Sequence, residues 1–182
     1  MRLKEVSGAS WLWIVLLLGL SLRLLGLMEP LIDKQAWRQT DTAAIARNYY
    51  EEGYTLFHPR VDWRGTSSGF VESNFPLYPF VVGLLYSVVG GAYEWVGRLV
   101  AALCSTAAGA LLYLLALRLG LSSRSALFGS LFYLLFPLSV YYGRTFMPEA
   151  LMIFLSVAAL WAFARWIDSG TRWDFVLAAW LA

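Results

Sequence analysis

Four stretches of the chain, 11–28, 95–117, 126–142 and 151–166, are apolar, each with at most one charged residue. A helix that crosses the hydrocarbon of a bilayer needs about 20 such residues, because lipid offers no partner to an exposed peptide group. Four runs of this kind in 182 residues leave little room for a soluble core. The composition agrees. Hydrophobic residues make up 59% and charged residues 14%, and mean hydropathy is +0.61. Soluble domains lie nearer 45–50% and about 25%. The expected fold is therefore an all-α, polytopic membrane protein.

The same counts exclude other classes. A net charge of +2 is too small for a nucleic-acid footprint. One cysteine, Cys104, and one histidine, His58, rule out a disulfide framework and a His-rich metal cage. Arg2 and Lys4 precede the first apolar run, which continues through large residues to Met28 without a small-residue cleavage site. It reads as an uncleaved span rather than a signal peptide. Arg23, near its outer end, is expected to snorkel to the interface. Residues 175–182 start another apolar run, so the chain is expected to be the N-terminal part of a longer protein.

Between the first and second spans, residues 29–94 hold most of the acids. Thr40 to Glu52 reads as a helix, with Asp41 or Thr42 as its cap and Gly53 as its stop. Thr55 to Asn74 reads as loop. Phe75 to Tyr93 is apolar but broken by Pro76, Pro79, Gly83, Gly90 and Gly91. Positive charge decides its placement, since short cytoplasmic loops carry the excess of Lys and Arg. If this segment crosses the membrane, the two sides carry equal charge. If it lies in the outer interface, as a helix over about 76–91, then Arg2, Lys4, Arg118, Arg124, Arg165 and Arg172 are all inside. Only Arg98 and Arg144 then flank short outer connections. The second arrangement is expected. It puts the 29–94 region and the 144–149 turn on one outer face.

That face gathers the residues able to do chemistry. Asp33 and Asp41 are candidate general bases; a solvated loop and a helix N-cap are their ordinary alternatives. Glu72, just before the interfacial helix, is a candidate second carboxylate or metal ligand. Glu149 follows Pro148 at the start of the last full span, where an ionisable group is often functional. Arg38, Arg47 and Arg144 are candidates to grip a phosphate bidentately. The nine tryptophans fit interfacial belts, with sugar stacking by Trp37 or Trp63 as the alternative.

The order of these features resembles a known family. The features are an early acid in the first outer loop, a helix reading Asp41-Thr42-Ala43-Ala44-Ile45-Ala46-Arg47-Asn48, then Glu72-Ser73-Asn74-Phe75-Pro76-Leu77-Tyr78-Pro79. After two spans comes Arg144-Thr145-Phe146-Met147-Pro148-Glu149. From about Trp11 to Trp166 the chain is similar to the N-terminal part of GT-C superfamily glycosyltransferases. It looks closest to bacterial members related to aminoarabinose transferase and the protein O-mannosyltransferases. The resemblance implies transfer of a sugar, with inversion, from a polyprenyl-phosphate carrier to a lipid, glycan or protein acceptor. It implies a multi-pass protein of the bacterial inner membrane with its site on the outer face. It also implies an essential acid at the start of the first juxtamembrane helix. The family's Asp-Glu pair is absent here: Asp33 precedes Lys34, Asp41 precedes Thr42, and gapless alignment on Ala43 to Arg47 puts Arg38 at the expected aspartate. Asp41 is placed ahead of Asp33 as the base. Glu72 resembles the family's acid before the second juxtamembrane helix and would be the ligand of a divalent metal where one is used. A transporter or flippase of lipid-linked sugars is the competing reading.

Overall fold

The long apolar runs fold as helices, and the breaks in them fall where proline and glycine dictate. The computed structural model describes residues 2–71 and 75–181, with side chains from Ser10 onward. It contains α1 (Arg2–Leu24), α2 (Ala36–Glu52), α3 (Leu77–Val89), α4 (Glu94–Arg118), α5 (Ser123–Leu135), α6 (Pro137–Tyr142), α7 (Glu149–Ser169) and α8 (Arg172–Leu181). Among the described residues there is no strand, only one isolated antiparallel bridge between Arg60 and Phe70. Among the described residues two helices, α4 and α7, are long and apolar enough to cross a membrane.

The chain divides into two units. Unit 1 comprises residues 1–25, 102–143 and 149–182; unit 2 comprises 26–101 and 144–148.

In unit 1, Leu134 of α5 is fully buried. A side chain at Gly19 of α1 or Gly109 of α4 would force Leu134 to shift. A Cβ on either would lie 2.8–2.9 Å from a Leu134 side-chain carbon. Small residues that let neighbours approach closely are the usual means of packing helices where lipid removes the hydrophobic driving force. Ser122 caps α5 by accepting from the Ser125 amide at 3.1 Å. Arg118 of α4 pairs with Asp168 of α7 at 2.7 Å, and Arg165 with Asp174 of α8 at 3.1 Å.

The run at 126–142, read from sequence as one span, is broken. Pro137 has no N–H to give the Tyr133 carbonyl, and it pushes Phe136 into an extended conformation (φ −61°, ψ 125°). The break explains a second departure from the sequence reading. Arg23 does not snorkel; it is 0% exposed. Its Nε donates to Ser105 Oγ at 2.9 Å, and its Nη1 to the Gly19 and Leu134 carbonyls, both at 2.9 Å. Its Nη2 donates to the Ser139 carbonyl at 3.3 Å and to Ser139 Oγ at 3.0 Å. All five N–H donors of a guanidinium are thus used. They span the interruption, satisfying a carbonyl at the end of α5 and another inside α6.

In unit 2, α2 packs on α3 through Gly83, where a Cβ would stand 2.8 Å from the Ala46 carbonyl oxygen. Gly90, in the left-handed region (φ 83°), closes α3 by returning its N–H to Tyr86 O at 2.8 Å. The stretch Thr55 to Asn74, read from sequence as loop, has no strand in its described residues 55–71 but doubles back as a small hairpin about one isolated bridge. Val61 N–H donates to Gly69 O at 2.9 Å and Val71 N–H to Pro59 O at 3.0 Å. Val61 is buried with Ile45 and Tyr49 of α2, against Val71 and Phe80.

Replacing Arg23 by Met removes all five of these hydrogen bonds, and a buried carbonyl left without a donor costs about 1 kcal/mol or more. Arg23→Met is expected to lower the thermal midpoint of the detergent-solubilised protein by several degrees. Arg23→Lys, with three donors in place of five, is expected to recover only part. An unchanged midpoint in Arg23→Met would remove the structural role.

Candidate active site

The helix that carries the candidate base starts earlier than its sequence signals suggest. The chain turns at Asp33, whose carbonyl accepts from the Ala36 amide at 3.1 Å. Gln35 then takes a left-handed conformation (φ 64°) as the N-cap, without a side-chain cap. Asp41 and Thr42 consequently lie inside α2 rather than at its start, so neither is the cap. What fixes the entry is Gln39, which is fully buried. Its Nε2 donates to the Asp33 carboxylate and, at 3.1 Å, to the Lys34 carbonyl. Its Oε1 accepts the Phe146 amide at 3.0 Å. One side chain joins the turn before α2, the first turns of α2 and the 144–148 segment. Phe146 is itself clamped: a Cβ on Gly97 would overlap its ring at 2.2 Å, and Tyr78 meets it edge-on at 5.8 Å.

With α2 held this way, Arg38 and Asp41 lie one turn apart on the same face. Both line a cleft of about 200 Å³. Trp37, Thr42 and Ile45 of α2 contribute to it, as do Pro59 and Val71 of the hairpin, Phe75, Pro76 and Pro79 at the start of α3, and Pro148. Among the described residues the cleft thus has one cation and one carboxylate among apolar and aromatic walls, the usual make-up of a ligand site. The Asp41 carboxylate is oriented from outside the helix: Trp63, at the hairpin tip, donates its indole N–H to Asp41 Oδ1 at 2.9 Å.

The hairpin bearing Trp63 is fastened to α2 by charge. Glu52 accepts from Arg60 at 2.7 Å and from Arg64 at 3.0 Å. Hydrogen bonds from Arg64 and then Arg60 hold its carboxyl down at about 2, against an ordinary 4.5. Arg47 pairs with Asp62, and Asn48 donates to Arg60 O at 2.8 Å and to Asp62 Oδ1 at 3.1 Å. Burial pushes the Asp62 carboxyl up, but the hydrogen bonds from Arg47 and Asn48 outweigh it and leave it below its usual range. Burial pushes the Tyr49 phenol up to about 12, so it stays a neutral donor to Leu56 O at 2.7 Å.

The sequence-derived candidates separate accordingly. Arg38 and Asp41 share the cleft. Asp33 does not line it; its carboxylate serves the Gln39 network. Arg47 lies on the opposite face of α2, paired with Asp62 and 3.8 Å from Glu51. Arg144 belongs to unit 2, with its Nη1 beside Gly26, where a Cβ would stand 3.2 Å away. Glu149 opens α7 in unit 1. Glu72 lies outside the described residues. Among the described residues no three His, Cys, Asp or Glu side chains form a group able to hold a metal ion. Gln39 and Trp63 escaped sequence reasoning in these roles, because nothing in a single sequence signals contacts 107 and 22 residues away. Arg98, read as an outer-face charge, is 1% exposed and donates to the Gly26 and Pro30 carbonyls at 3.1 and 3.2 Å.

An all-helical protein with two membrane-length apolar helices, and a cleft carrying one arginine and one carboxylate, has the features of a membrane-embedded transferase. Residues 73–182 match the model of the dolichyl-phosphate-mannose-protein mannosyltransferase family, and the chain belongs to that family. Membership implies glycosyltransferase activity of the GT-C type, with a lipid-linked sugar as donor. No curated protein and no solved structure shows a significant match to the chain.

The folded-state depression of the Glu52 carboxyl stabilises the hairpin fully above about pH 4.5, and that contribution is lost as pH falls towards about 2. Exchange protection of the Val61 and Val71 amides is therefore expected to fall over that window. In Glu52→Gln it is expected to be lower at neutral pH and flat across the same window. A wild-type protection that ignores acid would contradict the fastening.

Proposed function

We propose that this chain supplies the catalytic face of a transferase that moves a sugar from a polyprenyl-phosphate carrier to a lipid, glycan or protein acceptor, on the outer side of the bacterial inner membrane. The observation that carries the reading is the pairing of Arg38 and Asp41 on one face of α2, lining one cleft, in a member of this mannosyltransferase family.

The chemistry follows from the two groups. Asp41 accepts the proton of an acceptor hydroxyl or amine as that atom attacks the anomeric carbon. A bond forms from acceptor to carbon on one face, and the carbon–oxygen bond to the phosphate breaks on the other, so the configuration inverts. The electron pair leaves with the polyprenyl phosphate. Arg38 offers a planar pair of N–H donors to the charge developing there, the kind of preset electrostatic stabilisation that lowers such barriers most. Trp63 holds the Asp41 carboxylate in one orientation. Trp37, Phe75 and the prolines give the sugar's apolar face and the start of the lipid a surface that excludes water. Glu72 is the second carboxylate of this reading. Asp33 acts through Gln39, by placing α2.

The test uses the full-length protein in membranes with radiolabelled polyprenyl-phosphate sugars, after expression and folding of each variant are checked. Asp41→Asn is expected to lose about 10²–10⁴-fold in transfer. Asp33→Asn is expected to keep most of it, and Trp63→Phe, which keeps the ring and loses the N–H, to lower kcat more than it raises KM. Full activity in Asp41→Asn would overturn the site. Loss in Asp33→Asn alone would move the base to Asp33. No transfer by the wild type across a broad donor panel, with flipping of lipid-linked sugar in vesicles, would favour a transporter.

A further inference from the structure

The reverse face of α2 borders another cavity. Arg38, Asp41, Thr42 and Ile45 face the cleft, whereas Thr40, Ala43, Ala44 and Arg47, about half a turn round the helix, line a cavity of about 280 Å³. Asp62 of the hairpin, Tyr86 of α3 and Glu94 at the start of α4 complete its polar wall. We propose that this cavity is a second binding site, taking a neutral polyhydroxyl ligand the size of a single sugar ring.

Three observations point that way. The first is Tyr86. It is 2% exposed, yet its hydroxyl has no hydrogen-bond partner among the described residues; its ring meets Tyr50 edge-on at 6.2 Å. The hydroxyl is open to the cavity, where an entering group can take its hydrogen bond. The second is Glu94. No ion pair or hydrogen bond engages its carboxylate among the described residues, although it borders the same space. The third is the balance of charge. A cation would meet the Arg47 guanidinium; an anion would meet Asp62 and Glu94. A neutral polyol meets neither obstacle, because each hydroxyl both donates and accepts. It can give O–H bonds to the carboxylates and take them from Tyr86 and Arg47. The volume lies at the lower end of small-molecule pockets, roughly 300 Å³. The site shares α2 with the cleft but none of the cleft's residues, so it stands whichever carboxylate proves to be the base.

The experiment measures binding of methyl α-mannopyranoside to the full-length protein in lipid nanodiscs, by calorimetry and by saturation-transfer NMR. Saturable binding is expected in the wild type. Tyr86→Phe and Glu94→Gln are each expected to weaken it about fivefold, one hydrogen bond's worth. Asp41→Asn is expected to leave it unchanged even where it abolishes transfer. Choline and inorganic phosphate serve as charged probes, and neither is expected to displace the sugar. Tyr86→Phe deletes a hydroxyl without a hydrogen-bond partner among the described residues, and Glu94→Gln changes an exposed side chain, so both are expected to keep the wild-type melting temperature. Absence of saturable binding, affinity indifferent to both variants, loss of binding in Asp41→Asn, or displacement by either ion would each overturn the proposal.

Discussion

A single buried amide decides where α2 begins, and with it which side chains share a cleft. Gln39 makes three hydrogen bonds that no other residue type could make from that position: two donated to the turn before the helix, one accepted from the backbone of Phe146. An aliphatic residue of similar size would leave the buried Phe146 amide without its acceptor, and buried polar groups are costly when unmatched. The side chain works because both ends of an amide are used, one as donor and one as acceptor. Register follows. Starting the helix at Ala36 rather than at Thr40 places Arg38 and Asp41 on the cleft side and Arg47 on the other.

Unit 1 solves a different problem with similar means. A proline inside an apolar run frees backbone carbonyls, and lipid cannot satisfy them. Arg23 reaches the Leu134 carbonyl at the break with a group whose five donors match five acceptors, while glycines at 19 and 109 allow Leu134 to sit between their helices. A charge that a one-dimensional reading would send to the interface is instead retained inside because its partners are assembled around it from α1, α4, α5 and α6.

Much of the fold was legible in the sequence, since it rests on composition and run length. Sparse charge in long apolar stretches already means helices in lipid, and the motif order from Asp41 to Glu149 already resembled the family to which the chain belongs. What stayed hidden depends on contacts distant along the chain. The run containing Pro137 looked continuous because proline alone does not forbid a span, and the compensating Arg23 lies 111 residues from Leu134. Asp41 looked like a cap because the true start, Gln35 in a left-handed conformation, carries none of the usual signals. The hairpin looked like loop because two backbone hydrogen bonds and an exposed set of ion pairs leave no periodic pattern. Asp33 and Asp41 were equal candidates in type, and only three-dimensional placement separates a carboxylate in a cleft from one occupied by Gln39.

The manner in which the hairpin is held has one more consequence. Its core is small, and its remaining anchors, Glu52 with Arg60 and Arg64 and Arg47 with Asp62, lie at the surface, open to water. Attractions of that kind weaken as dissolved ions accumulate, with a screening length of about 8 Å at physiological ionic strength and about 3 Å at 1 M. Gln39 and the helix contacts of unit 2 are buried and feel little of this. The element that touches the candidate base through Trp63 is therefore the part of unit 2 most responsive to the ionic medium, while the scaffold beneath it stays fixed.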